Sequence, residues 1–269
     1  MNDFAVHIER ADGARLTLFT GATYGGSKHG LGIRAGGFTG WSRRKMRGNA
    51  TSRPFQHGDI LGKRHRDGQK ITLEAIASTA TQFEMDALDE EVTGFLTEGE
   101  ECRLIVDKPG EQRWVDAVLD EVDFDQLHYQ PRANVLMSFI APDAVRYGKE
   151  HRNVPVPVGA TVELDNWGSL PAWPSMVVTA ASSTPNGYAL RLLSATDETL
   201  GYWRIGAALT SPHTLDFKRA QVRWGGVVRW GAVHSGTPFQ IPRSGVSKLR
   251  LEYPGVGSAS ATITYADSY

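Results

Sequence analysis

Residues 70–99 read KITLEAIASTATQFEMDALDEEVTGFLTEG. The first nine alternate apolar and polar side chains at period two, which predicts a half-buried strand. Thr81 and Glu84 then stand in the spacing of a capping box, Thr-x-x-Glu. Phe83, Ala87, Leu88, Val92, Phe95 and Leu96 recur at helical spacing up to Gly99, so a helix is expected over about 81–98 with these residues as its buried stripe. The acids Asp86, Asp89, Glu90 and Glu91 fall mainly outside that stripe, on a solvated face.

Outward from this strand–helix pair the chain reads as mainly β. Strands are expected at 4–8 and 15–19 around the turn Ala11-Asp12-Gly13, and at 102–106, 113–125 and 133–140, with Lys108-Pro109-Gly110 as a turn. After Gly148 helical periodicity disappears. Seven short strand-like runs, at 161–164, 175–180, 188–193, 214–216, 226–233, 248–252 and 261–265, are separated by Gly, Pro, Ser and Asn, the texture of a β-sandwich or jelly roll. The stretch HRNVPVPV at 151–158 holds two prolines and suits an extended linker. The expected division is a first domain at 1–148, a linker at 149–158 and a second domain at 159–269.

Composition narrows the function classes. The chain has 269 residues, 41% of them hydrophobic, enough for one or two cores. Its single cysteine, Cys102, excludes a disulfide framework and a Cys-based zinc site. The opening MNDFAVHIERADG has no basic region followed by an apolar run, so no signal peptide is expected, and no stretch has the length of a membrane span. Net charge is −1, but it is unevenly spread. Residues 41–70 carry nine basic side chains against Asp59 and Asp67, whereas residues 84–125 carry fifteen acids against Arg103, Lys108 and Arg113.

No pattern of catalysis emerges. There is no G-x-S-x-G elbow and no phosphate-binding P-loop. The glycines from Gly30 to Gly36 miss the dinucleotide fingerprint by one position and read as a flexible loop. The eight histidines show no metal-ligand spacing, and Asp116, Asp120, Asp123 and Asp125 read as a solvated sheet face; neither cofactor nor metal is expected. The basic residues Arg43, Arg44, Lys45, Arg47, Lys63, Arg64 and Arg66 lack helix or strand periodicity and read as long loops suited to a protein–protein contact. A nucleic-acid site would want stacking aromatics, and only Trp41 and Phe55 lie close. Trp167, Trp173, Trp203, Trp224 and Trp230 crowd the second domain; a buried fate is the commoner one for tryptophan, with Trp224 and Trp230 as candidates for contact with a sugar.

Three further runs carry a resemblance. They are Phe139-Ile140-Ala141-Pro142-Asp143-Ala144-Val145-Arg146-Tyr147-Gly148, the N-x-G…P opening Asn166-Trp167-Gly168-Ser169-Leu170-Pro171, and Leu215-Asp216 with Pro242-Arg243-Ser244-Gly245. In this order, after a β domain with one acidic helix, they resemble the distal tail (Dit) family of bacteriophages with long non-contractile tails. Ala144-Val145 departs from that family's commoner Asp-Pro-Arg-Tyr-Gly form. The resemblance implies a β-sandwich or split-barrel belt domain followed by a galectin-like sandwich. It also implies a non-enzymatic hexameric ring in the virion, made in the host cytoplasm, that joins the tail tube to the tail-tip hub and its lysin-like protein. Receptor-binding proteins would dock on the ring, and DNA would cross its lumen only during ejection. A carbohydrate-binding adhesion module is the alternative. In a cyclic ring, opposite charges can meet head to tail.

Overall fold

A computed structural model describes residues 4–20, 30–42, 46–47, 50–52, 59–61, 65–96, 99–127, 130–143, 145–180, 185–253 and 259–269. The chain forms two compact units, Met1–Arg146 and Tyr147–Tyr269.

The first unit contains β1 (Ala5–Arg10), β2 (Arg15–Phe19), β3 (Leu31–Thr39), β4 (Met46–Arg47), β5 (Ala50–Ser52), β6 (Asp59–Leu61), β7 (His65–Arg66), β8 (Gln69–Ser78), α1 (Gln82–Thr93), β9 (Glu101–Lys108), β10 (Glu111–Gln126) and β11 (Arg132–Ala141). Seven strands run in the order β11-β8-β3-β2-β1-β9-β10, and β10 pairs back onto β11, which closes a barrel. Closure removes the exposed edges that an open sheet would leave. The pairing of β2 with β3 is parallel, while the other six are antiparallel. Alternation fills the interior: Val6 and Ile8, Leu16 and Leu18, Leu104 and Val106, Val135, Met137 and Phe139 are buried, as are Ile71, Leu73, Ala75 and Ala77 on β8. Each large apolar side chain so buried stabilises the fold by about 1.5–3 kcal/mol.

The helix begins as its capping box dictates. Thr81 Oγ1 accepts from the Glu84 amide at 3.2 Å, and Glu84 Oε2 accepts from the Thr81 amide at 3.2 Å. Its buried face differs from the expected one. Met85, Leu88 and Val92 enter the core, and Leu96 follows them, whereas Phe83 is 82% exposed and Ala87 is also exposed. At about 100° per residue, positions 83 and 87 each lie about 200° from Met85, on the opposite side of the helix. Gln126 fixes the helix to the end of β10, accepting from Gln82 Nε2 at 2.8 Å and donating to Asp89 Oδ2 at 2.9 Å.

Two other expectations change. The glycine-rich run from Gly30 is strand β3 rather than a loop. Its pairing with β8 slips between Ile33 and Phe38, and Gly36, at φ +77°, supplies the left-handed residue inside that irregularity. The basic segment expected as long loops contains two short antiparallel pairings: Met46 and Arg47 pair with Arg66 and His65, and Ala50, Thr51 and Ser52 pair with Leu61, Ile60 and Asp59.

The second unit contains β12 (Tyr147–Val156), β13 (Thr161–Asn166), β14 (Ser175–Ala180), β15 (Tyr188–Leu193), β16 (Thr199–Ile205), β17 (His213–Asp216), β18 (Gln221–Trp224), β19 (Val227–Val228), β20 (Val233–Gly236), β21 (Gly245–Glu252) and β22 (Ala259–Ser268). They form a sandwich of β12-β22-β14-β17-β18-β19 over β13-β21-β15-β16-β20, antiparallel throughout. Leu190, Trp203, Phe217, Ile241, Leu251 and Ile263 fill the space between the sheets. Trp203 and Phe239 each meet the Phe217 ring edge-on, with centroids 5.0 Å apart.

The stretch 149–158, expected as a linker, is extended but mostly not free: residues 147–156 form β12 and pair with β22. That ladder breaks between Tyr147 and Glu150 and between His151 and Val154, and Asn153 sits at φ 51°. The run expected at 226–233 divides into β19 and β20, separated by a turn in which the Ala232 amide donates to the Arg229 carbonyl at 3.2 Å.

Candidate assembly surfaces

The basic segment is the first candidate. Arg43, Arg44, Lys45, Lys63 and Arg64 lie outside the described residues, while the backbones of Arg47 and Arg66 stand on β4 and β7. Among the described residues, neither β4–β7 nor β5–β6 bonds to a third strand. Trp41, beside this segment in sequence, is 6% exposed and packs at 5.7 Å from Phe38 in the barrel core, so it is no stacking platform.

The acidic stretch 84–125 is less uniform than its count. Lys70 Nζ meets Asp120 Oδ2 at 2.7 Å, and Arg103 and Arg10 pair with Asp116 and Glu100 at 3.4 and 3.7 Å. The Asp120 carboxyl is held below the usual carboxylate range by hydrogen bonds from Lys70 and Ser138, and Lys70 is raised by the same contact. Asp120 is the extra residue of a bulge, since Leu119 faces Phe139 and Glu121 faces Ser138. Asp123 and Asp125 are exposed together on β10, as strand spacing requires. A separate shallow cleft is lined by Glu9, Arg10, Ala11, Glu101, Cys102, Arg103 and Asp116.

Cys102 is buried there, and desolvation, aided by Asp116 and Glu100, pushes its thiol up to about 12. Because the thiolate is the reactive form, Cys102 should react with a disulfide reagent at pH 8 roughly a thousandfold more slowly in the native protein than in guanidinium. Equal rates in the two states would contradict that burial. Among the described residues no group of three or more His, Cys, Asp or Glu could hold a metal ion, and no helix is long and apolar enough to cross a membrane.

The tryptophans of the second unit separate by environment. Trp203 is 1% exposed, Trp173 38%, Trp167 64% and Trp230 79%. Trp224 is half-buried; His213 stacks on it at 4.6 Å, and the Arg229 guanidinium lies over its ring at 5.0 Å. Of the two sugar-contact candidates, Trp230 is therefore the one with its ring largely open to solvent.

His213, buried against Trp224, has Nδ1 3.2 Å from the Tyr188 hydroxyl. Burial lowers its pKa, so the folded unit favours neutral imidazole. A lowered folded value means stability is fully present above the unfolded value of about 6.5 and falls as pH drops through it toward the folded pKa. Thermal denaturation from pH 8 to pH 4.5 should show the parent losing stability relative to His213→Gln below about pH 6.5. Parallel profiles would contradict a buried neutral His213.

A knot of backbone contacts sits where β13 ends. Asn166, fully buried, donates through Nδ2 to the carbonyls of Leu170, Ile241 and Pro242 at 2.9, 3.3 and 3.1 Å, and its Oδ1 accepts from the Gly168 amide at 3.0 Å. A Cβ on Gly168 would stand 2.1 Å from the Ser268 carbonyl oxygen. The Trp167 amide donates to the buried Asp267 at 3.3 Å. The N-x-G run thus ties β13 to the end of β22 and to the segment entering β21.

The sequence matches no protein-family model and no curated protein. In fold, the chain is similar to the crystal structure of Dit (gp 19.1) of phage SPP1, a paradigm of the hub adsorption apparatus in phages that infect Gram-positive bacteria. The TM-score is 0.65 at 13% identity, covering 98% of this chain and 99% of that one. It is also similar to a chain of the phage P2 baseplate in its activated conformation, with calcium or with strontium, at a TM-score of 0.55 and 9% identity over 98% of each chain. At such identity the likeness is one of architecture: from end to end, the chain has the fold of a phage distal tail and baseplate hub protein.

Proposed function

We propose that this chain is a structural, non-enzymatic component of a phage tail tip, where six copies close into a ring joining the tail tube to the tip hub. The observation that carries the reading is the likeness to a Dit hub protein over 98% of the chain, both units included. The basic segment 41–70 and the acidic stretch 84–125 of the same unit add to it, because a cyclic assembly brings two different faces of each subunit together. Rim ion pairs contribute only about 0–1 kcal/mol each, so apolar contact and strand pairing supply most of the adhesion, and charge sets orientation and speeds encounter. The partners are further copies of the chain, the tube protein and hub proteins at the tip, with receptor-binding proteins docking on the outside and DNA crossing only in transit. Light scattering with negative-stain microscopy of the full chain tests this. The expected particle is a ring of six times the 29.4 kDa chain mass; a closed particle of another copy number overturns the hexamer.

One observation favours a second reading, adhesion to carbohydrate: Trp230 is 79% exposed at the turn between β19 and β20. A glycan array with the full chain should then show binding that Trp230→Ala removes.

A further inference from the structure

The most exposed indole of the second unit stands in a stretch almost without acids. Between Glu198 and Glu252 the chain holds eight Lys and Arg and a single acid, Asp216. Asp216 is already engaged by Arg219, whose amide donates to Oδ1 at 3.0 Å and whose guanidinium lies 3.5 Å from Oδ2. The turn from β19 to β20 lies within this stretch and presents Arg229 and Trp230 side by side, both exposed. Backbone bonds fix that turn. The Arg229 amide donates to the Val222 carbonyl at 2.9 Å, the Ala232 amide to the Arg229 carbonyl at 3.2 Å, and the Gly206 amide to the Ala232 carbonyl at 2.9 Å. The Arg229 guanidinium is held as well, over the Trp224 ring at 5.0 Å, and Trp224 in turn stacks on the buried His213 at 4.6 Å. Among the described residues no carboxylate pairs with Arg229.

We infer that this turn binds a glycan bearing carboxylate or phosphate groups, with Trp230 stacked on a sugar face and Arg229 donating to the anionic group. The inference rests on the carbohydrate reading above and names its ligand class. An open indole offers a broad apolar face for the C–H side of a sugar ring. A guanidinium matches carboxylate and phosphate through paired N–H donors, and one already seated on an aromatic ring loses less freedom when it binds. Consecutive Cα atoms stand about 3.8 Å apart, so both contacts fall on one sugar unit or its neighbour. A neutral glycan would use Trp230 alone, whereas an anionic one is also attracted along a stretch with a single acid. Single-stranded nucleic acid fits less well, because it needs successive open rings and the Trp224 ring is taken by His213 and Arg229.

The test is a glycan array that carries oligogalacturonates and phosphomannan oligosaccharides beside their methyl-esterified and dephosphorylated counterparts, probed with the full chain. The acidic forms should bind at least tenfold more tightly than the neutral ones. Arg229→Gln should erase that preference, and Arg229→Lys, which keeps the charge but loses the planar fork, should retain only part of it. Trp230→Ala should weaken acidic and neutral binding alike. Melting of each variant should stay close to the parent's, because both side chains are exposed. Equal affinity for charged and neutral forms, still lost in Trp230→Ala, overturns the ligand class and leaves the carbohydrate reading standing. Polyglutamate or a thymidine oligonucleotide bound as tightly as the acidic glycans also overturns it, as does acidic-glycan binding that neither Arg229→Gln nor Trp230→Ala changes. If no member of the array binds, the carbohydrate reading and the ligand class fall together.

Discussion

Replacing Asn166 with alanine is expected to destabilise the second unit by about 3–5 kcal/mol, seen as a lower urea midpoint in tryptophan fluorescence. Asn166 is fully buried, and its amide serves the carbonyls of Leu170, Ile241 and Pro242 while accepting from the Gly168 amide. Alanine removes all of these bonds together and leaves the buried Ile241 carbonyl and the half-buried Leu170 and Pro242 carbonyls without that donor, the costly case for a hydrogen bond. Gly168→Ala should behave alike for another reason: its Cβ would lie 2.1 Å from the Ser268 carbonyl oxygen and 2.5 Å from the Ser268 amide nitrogen. Both are backbone atoms of β22, which is bonded to β12 and β14, so they have little room to yield. The first unit, with its own core, should keep its transition. A loss below about 1 kcal/mol for both variants would show that the knot does not hold the sandwich's end together.

Reversing Arg43, Arg44 and Lys45 together to glutamate should abolish ring formation, and with it tail assembly, while the folded monomer survives. The change moves net charge from −1 by six units and converts the segment from strongly basic to nearly neutral. Long-range attraction between faces sets encounter rate and register, and like-charge juxtaposition costs several kcal/mol over an interface. The described barrel core is built from apolar residues such as Val6, Ile8, Leu16, Leu73 and Phe139, so circular dichroism and melting should match the parent. Rings formed by the triple variant at the parent's concentration dependence would show that the basic segment takes no part in assembly.

How much was legible in the sequence depended on whether a segment has one buried face. Strand β8 alternates because one side faces the barrel interior, and the start of α1 was legible because Thr81 and Glu84 carry their own hydrogen bonds. The face of α1 was not, since Phe83 and Ala87 extend the apolar pattern without joining the core. Strands β4 to β7 escaped because they are only two or three residues long, too short to show alternation. Strand β12 carries a proline and breaks its own ladder twice, so it read as a linker. Trp224 and Trp230 are alike as letters; only the stacking of His213 and the placement of Arg229 separate them.

The most direct test of the proposed tail-tip role is a cryo-electron-microscopy reconstruction of the tail tip from virions of the proposed parent phage. The predicted result is a six-fold belt at the end of the tail tube into which the closed barrel of the first unit fits once per subunit. A complete tail-tip density in which no subunit accommodates this barrel and sandwich would contradict the assignment.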